Sequence, residues 1–423
     1  MELRKKKFDY KWVILALAML MNMVCLGFCS NTRGLFVKAI TSVLNIERSL
    51  FAFNTSCRFI ASAIINLFFG ALVHKFGIRK MVAVGFATTV ASLVMYAVSK
   101  TIVGFCVAGG LMGIGLAFTT TTMTGSIIRR WFTKDVGKYT GIAFAANGVG
   151  AAIATPMVSA LINVEGDPFA YRNAYYLIIA VTVVVGLLTV VLLKEQPKST
   201  GGQPMPQTAK KRKGAAWHGI TFDTALKKPY FYVGAVTIFM TGFSLQGVYE
   251  AYAAHMRDVG LSENFVVTLV SSFSLMLTVS KVATGWLYDR FGLKAVMMLN
   301  PLAAAVGFTL LAFVAPTTSG MVMAALFGGL FAFALPLETL VVPLIVNDLF
   351  GAVSYDRLLG LYAALNYAGY AVGGPLVGLD YDIFGTYKHA LLICGGLMVC
   401  VSVAFRFILP RVEKTKKEIE GNV

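Results

Sequence analysis

The chain is poor in charge, and above all in acidic residues. Charged residues occupy 13% of its 423 positions, hydrophobic residues occupy 57%, and the mean hydropathy is +0.73. This composition leaves too little polar surface to cover a folded chain in water, so we expect a protein of the lipid bilayer. Basic residues outnumber acidic ones by 37 to 20, but they fall in short loops between apolar runs. That distribution argues against nucleic-acid binding, which needs a basic face on a soluble domain.

Residues that ligate metals or perform catalysis are scarce as well. The four histidines lie near loops or at the ends of apolar runs and form no spaced cluster with carboxylates. The six cysteines lie mostly inside apolar runs and lack metal-ligand spacing. No glycine-rich phosphate loop ending in Lys-Ser or Lys-Thr is present. We therefore expect neither an enzyme nor an ATP-driven pump, and neither a metal nor another cofactor.

What the chain has instead is twelve apolar runs long enough to cross a bilayer core of about 30 Å, which takes roughly 20 helical residues. The first run follows a basic N-terminus and is too long for a signal peptide, so we expect it to be a retained helix. The predicted spans cover residues 12–36, 50–73, 81–99, 103–128, 138–162, 173–193, 231–254, 264–287, 295–315, 320–346, 358–379 and 388–409.

The spans divide the chain into two six-helix bundles, at residues 1–193 and 230–410. A linker rich in Gly, Pro and Lys joins them at 194–229, and a tail follows at 411–423. The side that would hold both termini and the linker carries 27 basic residues, whereas the opposite side carries 6. Because basic loops stay in the cytosol, we predict cytosolic termini in a multi-pass protein of the inner (plasma) membrane.

Two patterns recur in both halves at nearly one spacing, which predicts a duplicated six-helix unit. The first pattern forms either a gate latch, in which Asp289, Arg290 and Lys75 brace neighbouring helix ends, or a tight turn with basic residues. Its members Gly70, His74, Lys75, Phe76 and Gly77 recur at a constant offset as Gly285, Asp289, Arg290, Phe291 and Gly292. The members of the second pattern, Gly141, Asn147, Gly150 and Pro156, recur at a slightly larger constant offset as Gly360, Asn366, Gly369 and Pro375.

Together, the paired Gly-x-x-x-Asp-Arg-Phe-Gly loops, the twelve spans and the basic linker resemble the major facilitator superfamily. The segment Arg129–Met157 and the stretch LKKPYFYV at 226–233 are similar to the monocarboxylate porters and oxalate/formate exchangers. The resemblance implies an all-α fold of two six-helix bundles that rock about a cavity at the membrane midplane. It also implies a monomer whose spans 3, 6, 9 and 12 face lipid. His74 departs from the pattern because it replaces the acid in the first copy.

Charges near the centre of a bilayer cost at least about 2.5 to 3.5 kcal/mol each, so each one calls for a partner or a function. Lys281 lies at a position where the resembling exchangers hold substrate carboxylate with an arginine. We expect Lys281 either to bind an anionic substrate or to form a static ion pair with Glu338. Both readings combine if substrate displaces Glu338 from Lys281, since the released carboxyl group then takes up a proton.

Two arginines and one glutamate lie nearer the outer side. Arg58 either attracts anions or donates to backbone carbonyls, and Arg33 either contacts substrate or reaches the interface. Glu250 either pairs with one of these arginines as a gate or lies at the interface.

The repeated asparagines, Asn147 and Asn366, either bind substrate or pack helices together. The exchangers resembled by this chain carry a lysine where Asn366 lies, so the second cation of span 11 is missing and a monoanion is favoured. Tyr362 and Tyr370 would shape a small, partly apolar pocket.

These expectations add up to a secondary transporter of a small organic anion, most simply a monocarboxylate, driven by protons or by exchange for another anion. A carrier of another small solute and a sensor derived from a transporter remain alternatives. A channel is disfavoured because two fused six-span halves are typical of carriers.

Overall fold

The computed structural model describes residues 9–46, 48–132, 134–162, 167, 169–195 and 219–421. Helices joined by short loops make up these ranges. Outside the helices, the only β-type backbone pairing between described residues is an isolated bridge between Gly219 and Gly351. Apolar side chains of the first half form one large buried cluster, and a second cluster is built almost entirely from the second half. The all-α membrane fold predicted from the apolar runs is confirmed.

Each predicted span of the first half corresponds to one or more helices. Span 1 is Lys11–Asn22, the π-helical segment Met23–Asn31 and Arg33–Leu44; span 2 is Arg48–Leu67 and Phe69–Phe76; span 3 is Ile78–Val98; span 4 is Ile102–Ala117 and Thr121–Trp131; span 5 is Val136–Ile162; span 6 is Tyr171–Leu192. The two helices of span 2 are bent by 58°.

The second half begins with a short helix at the end of the linker, Phe222–Leu226. Span 7 is Pro229–Asp258; spans 8 and 9 lie within Glu263–Ala312; span 10 is Thr318–Ala334, Pro336–Thr339 and Val341–Phe350; span 11 is Tyr355–Phe384; span 12 is Lys388–Gly421. Linker residues 196–218 lie outside the described ranges. The last helix runs well past the predicted boundary at residue 409, because Val412 and Thr415 are buried and extend its packed face into the predicted tail.

Gly292 separates spans 8 and 9 within the helical stretch Glu263–Ala312. Its φ of 77° and ψ of 177° are not helical and suit glycine, which lacks a Cβ. The amide of Asn300 donates to the hydroxyl of Thr284 at 3.3 Å. In a straight helix, residues 16 apart would be about 24 Å from one another, so the chain must reverse between them. Gly77, the equivalent glycine of the first half, has a similar conformation, with φ 81° and ψ 159°.

The duplicated pattern also reappears in how the halves meet. Span 5 packs on span 8 where Gly141 faces the carbonyl oxygen of Lys281, and a Cβ on that glycine would lie only 2.6 Å from it. Span 11 packs on span 2 in the same way, with Gly360 against the carbonyl oxygen of Asn66. The spacing of the second pattern relates Gly141 to Gly360, and the spacing of the first relates Asn66 to Lys281. The two halves therefore face each other in a pseudo-twofold arrangement that brings the span centres together.

By length and composition, the described residues contain nine helices able to cross a membrane, or ten if the bent pair of span 2 is one crossing. The reversal at Gly292 divides one of these into two spans. Span 11 is a 30-residue helix that is not among the nine; its central part carries no charge but is rich in glycine and tyrosine, which lowers its hydropathy.

Candidate functional site

The two halves are tied together at the face where spans 1 and 7 begin and spans 6 and 12 end, which we call the terminal face. Asp289 accepts hydrogen bonds from the backbone N–H groups of Gly137, at 2.9 Å, and Lys138, at 2.6 Å. These N–H groups open span 5, where a carboxylate is favoured by the helix dipole. At the same face, where span 4 ends and span 11 begins, Asp356 forms an ion pair with Arg130 and accepts a hydrogen bond from Ser126. Both contacts join one half to the other.

The remaining predicted gate residues have different surroundings. The Arg290 guanidinium lies 5.1 Å from the centre of the Trp286 ring, and the Lys75 ammonium lies 5.3 Å from the Phe76 ring. Glu250 is far from the terminal face; its carboxylate accepts a hydrogen bond of 2.9 Å from Gln246, one turn earlier on span 7. Of the predicted gate residues, only Asp289 is therefore placed in a contact between the halves at this face.

Lys281 is buried between spans 8 and 5. Its side chain is 3% exposed, and its ammonium group donates to the amide oxygen of Asn147 at 2.8 Å. It lies 11 residues before Gly292, about 16 Å from the terminal face along a helix. Among the described residues no ion pair joins Lys281 to Glu338, so the static pair weighed from the sequence is not formed in this conformation. A lysine ammonium has three donors, and the amide of Asn147 takes one of them.

Glu338 lies at a break in span 10, between Pro336 and Pro343, where proline removes backbone donors and interrupts the helix. The residue is 9% exposed, and its buried Oε1 atom has no hydrogen-bond partner. Its backbone carbonyl accepts a hydrogen bond of 3.0 Å from the amide of Asn366, which also donates to the Tyr370 hydroxyl at 2.9 Å. Asn366 and Tyr370 therefore hold the break, and the Oε1 atom of the carboxyl group is left without a partner.

Arg58 and Arg33 lie together on the opposite side of the membrane centre from Lys281. Arg58 is 8% exposed, donates to the hydroxyl of Ser30 at 2.8 Å, and lies over the Phe59 ring at 4.6 Å. This hydrogen bond goes to a side chain, not to the backbone carbonyl considered from the sequence. Arg33 follows the π-helical segment of span 1, and its buried Nη1 atom has no hydrogen-bond partner.

An aromatic patch connects the arginine region to the second half. The Phe59 ring packs on Tyr370 at 5.2 Å and on Tyr367 at 6.4 Å between centroids. Tyr370 therefore contacts both the Glu338 break and the neighbour of Arg58. Tyr362 is not part of this group, because its hydroxyl donates to the carbonyl of Phe231, near the start of span 7.

Several contacting residues were not predicted from the sequence. Ser30 and Phe59 are small or apolar residues without a distinctive pattern, and only the fold brings them to Arg58. Asp356 did have a signal, since the spacing of the second pattern relates it to Gly137, the residue that Asp289 contacts. The described residues contain no group of three or more His, Cys, Asp or Glu side chains placed to hold a metal ion.

The space between the halves is closed at the terminal face and open toward the other face. Tyr249, in the last third of span 7, has Arg33, Arg58 and Glu338 within electrostatic range, so it faces the region between the halves. Its side chain is nevertheless 44% exposed, and its neighbour Glu250 is exposed too. These two exposed side chains indicate that the space between the halves opens toward the face opposite the termini.

Comparisons with known proteins agree with this architecture. Monocarboxylate transporter 12 of Homo sapiens is 24% identical over 331 residues, which cover 73% of this chain and 63% of that protein, so the match spans less than two thirds of that relative. Monocarboxylate transporter 13 of Bos taurus is 26% identical over 340 residues, covering 78% of this chain and 74% of the relative. The structure of the transporter FucP in the outward conformation superposes with a TM-score of 0.70 at 15% identity, covering 94% of this chain and 99% of FucP.

The profile of the Major Facilitator Superfamily matches residues 15–256 and 232–422, which together include both halves. This match agrees with the paired bundles, the equivalent glycines at the two reversals and the access from one face. The chain is a multi-pass membrane transporter, and it belongs to the Major Facilitator Superfamily.

Proposed function

We propose that the protein carries a small organic anion, most simply a monocarboxylate, across the plasma membrane by alternating access, with both termini in the cytosol. The observation that carries this proposal is the ammonium group of Lys281, buried between the halves with a neutral amide as its hydrogen-bond partner. An isolated buried cation costs several kcal/mol unless it is paired. A carboxylate that reaches Lys281 offsets this cost, so the site favours anions over neutral solutes.

The position of Lys281 links anion binding to movement of the halves. Asn147 belongs to the first half and Lys281 to the second, so a carboxylate bound between them contacts both. Closing the halves around an anion removes water from the ion pair and strengthens it, whereas closing without an anion leaves the ammonium unpaired. The loaded carrier is therefore favoured in the closed intermediate that alternating access requires.

A single carboxylate group matches the charge at this depth. Asn147 and Asn366 lie 11 residues from the terminal ends of spans 5 and 11, about 16 Å in, at the depth of Lys281. These equivalent positions contribute amides, so Lys281 supplies the positive charge there, and a second carboxylate would have no cation at this level. The similarity of this chain to two monocarboxylate transporters supports the same class.

Glu338 gives the proposal its coupling step. Its Oε1 atom is buried without a partner, so a proton bound there removes an uncompensated charge from the interior. When substrate carboxylate neutralises Lys281, Glu338 loses the nearby positive charge that favours its ionised form. Uptake of a proton by Glu338 at that moment gives proton symport, and a Glu338 that stays in one protonation state gives anion exchange.

Arg33 and Arg58 act earlier, on the open side. They raise the local concentration of anions at the access route, and Glu250, which is exposed near them on span 7, becomes their partner when that side closes. Tyr370 and Phe59 form the apolar wall between the arginines and Lys281. This order of positive groups leads an anion from the open face toward the centre.

The decisive test is uptake of radiolabelled small carboxylates by proteoliposomes, with and without a pH gradient. We expect saturable uptake by the wild type and a loss of at least about tenfold in kcat/KM for Lys281→Gln, since a charged hydrogen bond is worth about 1.5 to 3 kcal/mol. Lys281→Arg should keep measurable transport. Arg406→Gln is the matched control, because it removes an exposed cation from span 12.

Three results would contradict the proposal in different ways. Carboxylate transport by Lys281→Gln at the wild-type rate would mean that the ammonium does not hold the cargo. Saturable binding of carboxylate without any flux in vesicles would instead indicate a sensor that keeps the transporter fold. Uptake of a neutral solute that is unaffected by Lys281→Gln would assign the protein to another substrate class.

A further inference from the structure

An apolar groove runs along the contact between the two halves, away from the charged residues of the proposed carrier site. Its volume is about 460 Å³, which is within the range of ligand pockets in proteins. All nine residues that line it are apolar. Span 1 contributes Ala16, Met19 and Met23 among others, span 5 contributes Ile142 and Val149, and span 8 contributes Val282. The groove therefore touches the first half along two helices and the second half at one residue.

The groove opens toward lipid, not toward the space between the halves. Its end nearest the terminal face is marked by Trp12, one turn before Ala16, and by Trp286, one turn after Val282. These indole side chains are 44% and 49% exposed. Because the space between the halves is closed at this end, side chains exposed here face outward. Tryptophan is typical of the headgroup level of a bilayer, so the two rings place the mouth of the groove there.

The depth of the groove matches one leaflet of the membrane. Ala16 and Ile142 lie five and six residues from the starts of spans 1 and 5, and Met23 and Val149 lie twelve and thirteen residues from them. The groove thus extends from about 8 Å to about 19 Å below the terminal face. In a hydrocarbon core of about 30 Å, this interval is where the acyl chains of the adjacent leaflet lie.

A small residue in the first half creates the space. The spacing of the first repeated pattern relates Ala16 to Phe231 of the second half. The Phe231 ring is only 4% exposed and packs against the rings of Phe350 and Tyr362. Ala16 is exposed and carries only a methyl group. The groove is therefore a departure from the pseudo-twofold arrangement, not a requirement of the fold.

Positive charge lies at the mouth of the groove. Lys138 is exposed one turn before Ile142, and among the described residues no ion pair engages its ammonium group. The Asp289 carboxylate is within electrostatic range of Lys138, but it is held by backbone N–H groups. Four further basic residues precede span 1 in the sequence, at positions 4–7, outside the described ranges. Basic residues beside the end of a membrane helix attract anionic lipid headgroups.

We propose that the groove binds one acyl chain of an anionic phospholipid, whose headgroup lies at Lys138, and that this lipid bridges the two halves. A chain that enters the groove leaves an equally apolar bilayer, so its binding depends on close packing against fixed walls and on the charge of the headgroup.

The bridge would lie beside the closest approach of the halves. A Cβ on Gly141 would lie 3.4 Å from the Cα atom of Val282, so spans 5 and 8 touch at the edge of the groove. A lipid chain between spans 1, 5 and 8 therefore favours the conformation in which the terminal face is closed. This inference goes beyond the proposed function and holds whether or not Lys281 binds the cargo.

The test compares dioleoyl phosphatidylglycerol with dioleoyl phosphatidylcholine, which have the same acyl chains, added to the delipidated full-length protein in detergent. Thermal unfolding reports binding, because a ligand that binds only the folded state raises the Tm. We expect phosphatidylglycerol to raise the Tm saturably by about 2 °C or more. Phosphatidylcholine should need a concentration at least about fivefold higher, which is the effect of one basic residue at a membrane surface.

Variants separate the groove from its mouth. Ala16→Phe introduces the residue of the second half into the groove and should abolish the shift, whereas Val184→Phe adds the same ring at an exposed position of span 6 and should retain it. Lys138→Gln should raise the half-saturating concentration of phosphatidylglycerol about fivefold. The shift should persist in Lys281→Gln, which separates this proposal from the proposed function.

Each part of the proposal can fail by itself. Equal shifts with the two lipids in the wild type would overturn the anionic headgroup, and an undiminished shift in Ala16→Phe would mean that the lipid binds elsewhere. If light scattering shows that Ala16→Phe converts a dimer into a monomer, the groove is an interface between two copies of the chain and the lipid assignment fails.

A second measurement uses the wild type alone. Phosphatidylglycerol with a diazirine in the middle of one acyl chain is photolysed in nanodiscs that contain the protein, and labelled peptides are identified by mass spectrometry. We expect labels on span 1 at Met19–Met23, on span 5 near Val149 and on span 8 near Val282, and unlabelled phosphatidylglycerol should reduce them more than phosphatidylcholine does. If competition lowers these labels no more than labels near Val184, the contacts are those of bulk lipid and the proposal is wrong.

Discussion

Replacing Asn147 with aspartate tests how Lys281 is used. The amide oxygen of Asn147 is 2.8 Å from the Lys281 ammonium, so Asn147→Asp would place a carboxylate where a neutral acceptor now lies. The present bond already has one charged partner, and Asn147→Asp adds the attraction between two unit charges, about 4 kcal/mol at 4 Å and an effective dielectric constant of 20. Desolvation of the new carboxylate offsets part of this gain, so we take about 1 to 2 kcal/mol as the net difference that the substrate must overcome to reach Lys281. We expect KM for the carboxylate to rise about 5- to 30-fold.

Stability should move in the opposite direction from transport. Asn147→Asp neutralises a buried cation, so the Tm of the purified protein should rise while uptake into proteoliposomes weakens. Asn147→Ala is the matched control: it removes the hydrogen bond without adding charge, and it should lower the Tm and change KM by a few-fold at most. An unchanged KM in Asn147→Asp, or an equal defect in Asn147→Ala, would refute the idea that Lys281 is kept free for an anion.

Three further predictions concern coupling and the closure of the terminal face. Glu338→Gln should abolish accumulation driven by a pH gradient while exchange of internal for external carboxylate persists; pH-driven accumulation at the normal level would exclude Glu338 as the proton carrier. Asp356→Asn breaks the partly exposed ion pair with Arg130, worth about 1 kcal/mol at most, so the equilibrium between closed and open terminal faces should shift by up to about fivefold. Gly360→Leu drives a side chain into the carbonyl of Asn66 and should open that face more strongly. A cysteine introduced at the buried Thr140 reacts with a membrane-impermeant maleimide when the terminal face opens, so its labelling rate reports both shifts. Unchanged labelling would contradict both predictions.

Much of the architecture could be predicted because the signals are long or repeated. Apolar runs of about 20 residues have few alternatives to a membrane helix. The repeat of the first glycine pattern predicted equivalent turns, and Gly77 and Gly292 do share a backbone conformation with positive φ. The end of the last helix was predicted too early, because a polar tail such as that after residue 409 shows no apolar run although Val412 and Thr415 still pack.

The residues of the candidate site were easier to predict than the contacts between them. Burial of Lys281 and Glu338 follows from their depth in apolar runs, but which side chain reaches Lys281 depends on how the two halves meet. The amide of Asn147 lies far away in the sequence, in the other half, and no local pattern relates the two. Tyr362 lies one turn before Asn366 on nearly the same helix face, but it is closer to the terminal face, where its hydroxyl reaches the carbonyl of Phe231.

The pseudo-twofold frame shows how one half became specialised around the carrier site. The residue equivalent to Lys281 in the first half is Asn66, whose amide donates to the Ser62 carbonyl at 2.7 Å and accepts from Thr122 at 2.7 Å. The NH₂ donor and the oxygen acceptor of that amide are both hydrogen-bonded within the first half, whereas the ammonium of Lys281 still has N–H donors available for an anion. By the spacing of the second pattern, the position equivalent to Glu338 is Thr119, a neutral residue bonded to its own helix.

The first half shows the reverse pattern in its own membrane charges. By the spacing of the first pattern, the positions equivalent to Arg33 and Arg58 are Val248 and Phe273, both buried in the apolar core of the second half. Each half thus carries its membrane charges where the other is neutral.

Because the arginines lie toward the open face and Lys281 lies toward the terminal face, the positive groups are staggered across the membrane by on the order of 10 Å. Two identical halves would place charges symmetrically, so the stagger arises from the divergence of the repeat. Under the proposed function, an anion drawn in by the arginines would pass the Phe59 and Tyr370 rings to reach the ammonium between the halves, where closure around it would be favoured.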